Sequence, residues 1–295
     1  MVHGGKEVVN ALCDHPEIEG LNFVGSTPIA KHVYTRGSAC GKRVQALGGA
    51  KNFMVVLPDA VIDQSVRAMV DSCYGCAGER CLAGSVLVSV GDAYGKVKEQ
   101  VLKEVQKVRV GDGLRPETTL GPVISKSARD RISADINTAI SEGAELLVDG
   151  RGIKVEGNEN GYFLGPTVLD KVKPGTLMAE KEIFGPVIGL MQVDTMDDAI
   201  ELLNGSEYAN TTSLFTTNGG AARKFLDEVA PSMVGINLGV PAPMAFFSFG
   251  GSKASFFGDI KVHGGSAVEF FTEKHTSMVR WYEEGIEAAV CPIWK

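Results

Sequence analysis

Long apolar runs are missing from this chain. No uninterrupted stretch approaches the ~20 residues that a membrane-spanning helix needs, although 44% of its 295 residues are hydrophobic. A basic excess is missing too. With 29 Lys plus Arg against 36 Asp plus Glu, the formal net charge is -7, which leaves no electrostatic case for nucleic acid or an anionic membrane surface. Charged residues make up 22% of the chain, an ordinary share that excludes a disordered polypeptide. Neither G-x-G-x-x-G nor a P-loop sequence occurs. Cys13, Cys40, Cys73, Cys76, Cys81 and Cys291 are too few and too irregular for a disulfide scaffold in a chain of this size. Met1–Gly5 has neither a basic n-region nor an apolar h-region. The expected setting is soluble, reducing and intracellular, either cytoplasm or mitochondrial matrix.

Glycine, by contrast, is plentiful. The 36 glycines are about 12% of the residues against an average near 7%, and they are scattered rather than repeated. Such spacing suits tight turns and close backbone approaches in an α/β enzyme built around a cofactor. The length fits one large or two ordinary domains.

Apolar periodicity places a helix over Val8, Val9, Leu12 and Cys13, stopping at His15-Pro16, then a short strand over Leu21–Val24. Pro28 begins a helix carrying Ile29, Ala30, Val33 and Tyr34 that is expected to stop at Gly37. Strands follow at Arg43–Leu47 and Phe53–Leu57. This alternation belongs to a parallel sheet with crossover helices. Too few strands precede Pro58 for a complete doubly wound sheet, so the chain is expected to begin inside a domain or to be completed by something else.

Asp63 opens a helix that ends in Gly75-Cys76-Ala77-Gly78-Glu79-Arg80-Cys81, and Ser85–Val90 is a strand. A helix carrying Val97, Val101 and Val105 comes next. Ser125 reads as the cap of another, which ends at Gly143. Gly150–Gly161 is a polar surface excursion. Thr195 with Asp198 resembles a capping box. Strands at Ser213–Thr217 and Met233–Asn237 flank a helix from Ala221 to Val229. Phe270, Phe271 and Thr272 suit an edge or interface strand.

Cys81 is the candidate nucleophile. It follows a glycine-bearing turn, and the adjacent Arg80 is expected to lower its thiol pKa. Cys73 and Cys76 have the C-x-x-C spacing of redox and zinc sites, but no second pair or suitably spaced His accompanies them, so no metal is expected. Phe23-Val24-Gly25-Ser26-Thr27-Pro28 is a strand–turn–helix junction where backbone N–H groups can hold a phosphate and Ser26 can donate a hydroxyl. Glu180-Lys181-Glu182-Ile183-Phe184-Gly185-Pro186-Val187 sets an acid beside an aromatic ahead of a Gly-Pro turn. Such a pair can bind a ribose diol and cover the adjoining base.

In order and spacing, Phe23–Thr27, Gly78–Ala83, Glu182–Val187 and Phe249–Lys253 resemble motifs of the aldehyde dehydrogenase superfamily over nearly the whole chain. Cys13–Pro16, Gly41–Ala46, Ala50–Asn52, Gly161–Thr167 and Phe215–Gly219 resemble its methylmalonate-semialdehyde dehydrogenase branch. The resemblance implies an α/β, aldehyde dehydrogenase-like fold with the C-terminal part of an NAD-binding domain (1–49) and a complete α/β catalytic domain (50–251). A return and oligomerisation segment (252–295) would supply interface strands over Ser266–Val279. It further implies that Cys81 attacks an aldehyde, that NAD accepts the hydride, and that a thioacyl enzyme remains. Gly25 and Ser26 would contact the coenzyme diphosphate, Glu182 and Phe184 the nicotinamide ribose, and Gly48 the nicotinamide. Arg80 would bind a substrate carboxylate.

Hydrolytic members carry Glu-Leu-Gly-Gly-Lys before the nucleophile, and that Glu activates water. Here the segment reads Ala46-Leu47-Gly48-Gly49-Ala50-Lys51. Neither Leu47 nor Ala46 is a base, so coenzyme A is the expected acyl acceptor, and Glu at position 47 is the change expected to restore water activation. The expected reaction converts malonate or methylmalonate semialdehyde to acetyl-CoA or propionyl-CoA with loss of CO2, in a homo-oligomer (dimer or tetramer). The alternatives are a catalytically silent or partner-dependent fragment, which would lack the oxyanion-hole Asn of the family's N-terminal portion, and a hydrolytic dehydrogenase.

Overall fold

A computed structural model describes residues 1–282 and 284, so Cys291 lies outside the described residues. The first unit runs α1 (Lys6–Asp14), β1 (Gly20–Val24), α2 (Thr27–Ala39), β2 (Arg43–Leu47). β1 and β2 pair in parallel, from Gly20 opposite Arg43 to Val24 opposite Leu47. Cys13, Ala30, Val33, Val44 and Ala46 form the small core between these helices and strands. α2 does not stop at Gly37. A Cβ there would stand 2.6 Å from Leu21 and 2.8 Å from Val44, so this glycine lets the helix lie close on the two strands rather than ending it.

The second unit begins with β3 (Phe53–Val56) and α3 (Ile62–Tyr74), followed by a 3-10 turn at Gly75–Gly78. β4 (Val86–Val90), α4 (Ala93–Val105), α5 (Lys126–Ser141), β5 (Glu145–Val148) and β6 (Thr167–Asp170) follow. Then come α6 (Leu177–Glu180), β7 (Val187–Val193), α7 (Met196–Gly205), β8 (Tyr208–Ala209), β9 (Thr211–Phe215), α8 (Gly219–Glu228) and β10 (Met233–Ile236). A seven-stranded sheet has the order β10-β9-β3-β4-β7-β6-β5. It is parallel except for β5 on β6. β3, β4, β6 and β9 are buried along their whole length. Covered on both faces, such strands read as apolar runs with no alternation to mark them, and the four-residue runs of β5 and β6 are too short to stand out.

The caps form as the sequence reading expects. Ser125 accepts the Ala128 N–H at the start of α5, and Thr195 and Asp198 make the capping box of α7.

The chain then returns to the first unit. β11 (Ser252–Lys253) runs antiparallel to β8, and β12 (Phe256–Phe257) adds antiparallel to β2, giving the order β1-β2-β12. The strands expected over Ser266–Val279 are not there: Gly264–Phe271 is a helix, α9, and residues 272–282 hold no regular structure. Helical geometry turns Phe270 inward, 3% exposed, while Phe271 stays 61% exposed. The Phe270 ring lies 3.5 Å from where a Gly20 Cβ would stand. That contact overrides the β preference of two consecutive aromatics. Among the described residues no helix is long and apolar enough to cross a membrane.

Candidate active site

Cys81 lies in the loop that leads into β4. The turn before it is left-handed at three successive residues, Cys76 (φ 54°), Ala77 (φ 54°) and Gly78 (φ 69°). Only glycine fits the third position, because a Cβ would come within 2.2 Å of the Gly185 carbonyl oxygen. That close approach sets the Cys81 loop against the Glu182–Pro186 segment.

The loop is tied from below. Asn52 Nδ2 donates to the carbonyls of Cys81 and Ala83, each at 2.9 Å, and Asn210 Nδ2 donates to the Cys81 carbonyl at 2.9 Å. Ser72 Oγ accepts the Gly84 N–H at 3.1 Å, and the Ser72 carbonyl accepts Arg80 Nη2 at 3.0 Å.

A cleft of about 400 Å³ gathers Cys81, Gly25, Ser26, Gly48, Glu182 and Phe184, with Val24, Arg131 and Lys181 completing its wall. Six of the seven expected residues therefore share one space. The seventh, Arg80, lines the adjoining crevice with Glu182 and Phe184, and its Nε is buried without a partner.

On the other wall, Ser26 occupies the N-cap position of α2 without capping it, so its hydroxyl lines the cleft uncommitted, while Ile29 and Ala30 donate their N–H groups to the Ser26 carbonyl at 3.0 and 2.9 Å. Thr27 Oγ1 accepts the Gly49 N–H at 2.8 Å and donates to the Ala254 carbonyl at 3.1 Å. Gly48 donates to the Ser255 carbonyl at 3.0 Å. A Cβ on Gly48 would sit 2.5 Å from the Ala254 oxygen, so no side chain fits there.

The thiol of Cys81 is pushed above its usual range. Burial is the main cause and the Glu182 carboxylate adds to it, while the Cys81 and Leu82 N–H groups and Arg80 oppose them. Arg80 does pull the thiol down as expected, but burial and Glu182 outweigh it. Burial raises the Glu182 carboxyl to about 7, against the pull of the Ala50 N–H and Lys51. Burial likewise lowers Lys51 to about 7, opposed first by Glu182, and Lys51 Nζ donates to the Lys181 carbonyl at 3.1 Å. Cys73 is buried and Cys76 exposed, both as free thiols, so the C-x-x-C pair is split between core and surface.

Arg131 and Lys181 escape the sequence reading. Both pair with Asp135, at 3.3 and 2.7 Å, and along the sequence they look like ordinary charges on a solvated face. Neither Leu47 nor Ala46 offers a base. Leu47 packs with Phe256, Val262 and Phe249, and Ala46 is fully buried in the small core. The Glu expected to restore water activation at position 47 would enter an apolar cluster instead.

Residues 1–277 match the aldehyde dehydrogenase family profile. The chain is 45% identical over 282 residues to malonate-semialdehyde dehydrogenase 1 of Oceanobacillus iheyensis, covering 96% of this chain and 58% of that protein. It is 47% identical over 281 residues to malonate-semialdehyde dehydrogenase of Halalkalibacterium halodurans, covering 95% and 58%. The crystal structure of methylmalonate-semialdehyde dehydrogenase from Oceanimonas doudoroffii superposes with a TM-score of 0.93 at 44% identity, covering 96% of this chain and 58% of that one. A Mycobacterium tuberculosis aldehyde dehydrogenase complexed with NAD+ gives 0.86 at 31%, covering 92% and 55%. The chain therefore spans about 58% of the length of the curated relatives it matches.

Proposed function

The chain belongs to the aldehyde dehydrogenase family, and from that premise we propose that it oxidises malonate or methylmalonate semialdehyde with NAD and passes the acyl group to coenzyme A. The observation that carries the proposal is one cleft holding Cys81, Gly25, Ser26, Gly48, Glu182 and Phe184 while positions 46 and 47 face apolar cores. The names of the relatives support the substrate class.

The residues present fit the nicotinamide end of NAD. An uncapped α2 N-terminus suits a diphosphate, a carboxylate with an exposed ring beside it suits a ribose, and Gly48 lets backbone approach closely. NAD, when bound, supplies the two-electron acceptor. Ser26 and Gly25 would hold its diphosphate, and Glu182 would accept from ribose hydroxyls.

Cys81, once deprotonated, adds through Sγ to the aldehyde carbon, and its backbone N–H stabilises the oxyanion. After oxidation the acyl group remains on Cys81 as a thioester. Arg80, next to Cys81 in sequence, is assigned the substrate carboxylate, for which a planar guanidinium is suited. With no base at 46 or 47, water is not activated there. The thiolate of coenzyme A attacks the thioester carbon and Cys81 leaves as thiolate. The carboxylate β to the carbonyl departs as CO2, and a proton is taken up at carbon in its place. A homo-oligomeric assembly of the soluble protein is part of the same proposal.

Glu182, held near 7 inside the cleft, favours a second reading in which it activates water. Absorbance at 340 nm with malonate semialdehyde and NAD, with and without CoA, combined with product analysis, separates the two. Thioester as the dominant product, formed only with CoA, is the expected result. Free acid released as fast as thioester would overturn it. A folded protein with no turnover and no NAD binding would instead support the silent-fragment alternative.

A further inference from the structure

Both lone pairs of the Cys81 carbonyl are taken by side chains rather than by the backbone. Asn52 stands one residue before β3 and Asn210 one before β9. Those strands are neighbours, and β4, which the Cys81 loop enters, lies on the other side of β3. Parallel pairing lines up the amino ends of all three strands under the loop. Both asparagines are nearly buried, at 4% and 6% exposure, and each amide points its Nδ2 at the same oxygen, 2.9 Å away. Asn52 is oriented in turn by the Thr211 N–H on its Oδ1, at 3.4 Å. A buried loop carbonyl needs one donor to be satisfied, and this one has two.

We propose that Asn52 and Asn210 are positioning residues for the nucleophile, fixing the Cys81–Leu82 peptide so that its N–H is held toward Sγ. The inference rests on the reading of Cys81 as nucleophile. The peptide unit is planar, so clamping the Cys81 oxygen also sets the direction of the Leu82 N–H. Two donors on the oxygen also polarise that N–H and strengthen it as a donor. The Leu82 N–H is one of the groups that favour the thiolate against burial and Glu182. In this chain the fork holds in place a donor that acts alongside Arg80 in favouring the thiolate.

The test is the pH profile of iodoacetamide alkylation, localised to Cys81 by peptide mass spectrometry, in the full chain. Asn210→Leu removes one donor at similar volume, and Asn210→Asp keeps the shape while leaving only acceptors. Each is expected to slow Cys81 alkylation at neutral pH roughly three- to tenfold and to displace the profile upward. Cys40, exposed and remote on α2's end, serves as the internal control and should keep its rate. If Asn210→Leu does not fold, Asn210→Asp carries the test. An unmoved midpoint, faster alkylation at an unmoved midpoint, or an equal change at Cys40 would overturn the inference, since each describes a loosened loop. A parent protein whose Cys81 resists alkylation at every pH removes the nucleophile reading, and this inference with it.

Discussion

The two sheets meet the cleft with opposite ends. β1 and β2 arrive by their carboxyl ends, at Val24-Gly25-Ser26 and Gly48, whereas β3, β4 and β9 arrive by their amino ends, at Asn52, the Cys81 loop and Asn210. The carboxyl edge of a parallel sheet is the usual place for a ligand, because each strand there leads to a helix N-terminus with free N–H groups. The small sheet uses that generic geometry, and it needs little beyond small residues at Gly25 and Gly48. An amino edge offers no such donors. The larger sheet therefore builds its half of the site from particular parts: three left-handed residues, a Gly78 that touches Gly185, and two buried asparagines. Its own carboxyl edge, where β3 and β9 lead off in opposite directions, encloses only about 140 Å³ beside Thr216 and Asn237.

The sharpest way to break this contrast is Leu47→Glu. If β2 serves only as scaffold at that position, the carboxylate is forced among Phe256, Val262 and Phe249, and stability falls by about 3 kcal/mol or more, read as a lower urea midpoint. A stable variant that releases free acid would mean that Leu47 faces the cleft after all.

A smaller effect is expected at Glu182, the carboxylate on the larger sheet's side that is proposed for the ribose subsite. An ionised carboxylate accepts from ribose hydroxyls more strongly than a protonated one, and burial raises Glu182 to about 7. NADH binding, followed by fluorescence, is therefore expected to weaken as pH falls through that value. The change should be roughly three- to tenfold, and flat in Glu182→Gln. An equal pH dependence in the variant would assign the titration to another group.

Much of the cleft was legible along the chain because its parts are local. Gly25-Ser26, Arg80-Cys81 and Glu182–Phe184 are each short motifs whose chemistry sits in adjacent residues, and the helix caps at Ser125 and Thr195 are equally local. The asparagine fork was not legible. Its members lie 29 and 129 residues from Cys81 in sequence, and only the pairing of β3 with β9 brings them under one carbonyl. Arg131 and Lys181 were hidden for the same reason, as charges that look solvated until α5 and the Glu182 segment pack beside the cleft. At Gly37 and α9 a local preference was readable, but close packing on β1 and β2 overruled it. The direction of the Cys81 shift also depended on the third dimension, since burial and Glu182 outweigh the pull of the neighbouring arginine.

In the proposed reaction Cys81 carries the acyl group and coenzyme A, not water, removes it. Intact-mass and peptide mass spectrometry of the protein incubated with malonate semialdehyde and NAD, before and after CoA, tests this most directly. The expected result is an acyl adduct confined to Cys81 that persists without CoA and clears on its addition, with acyl-CoA released. An adduct elsewhere, none at all, or one that hydrolyses as quickly without CoA would contradict it.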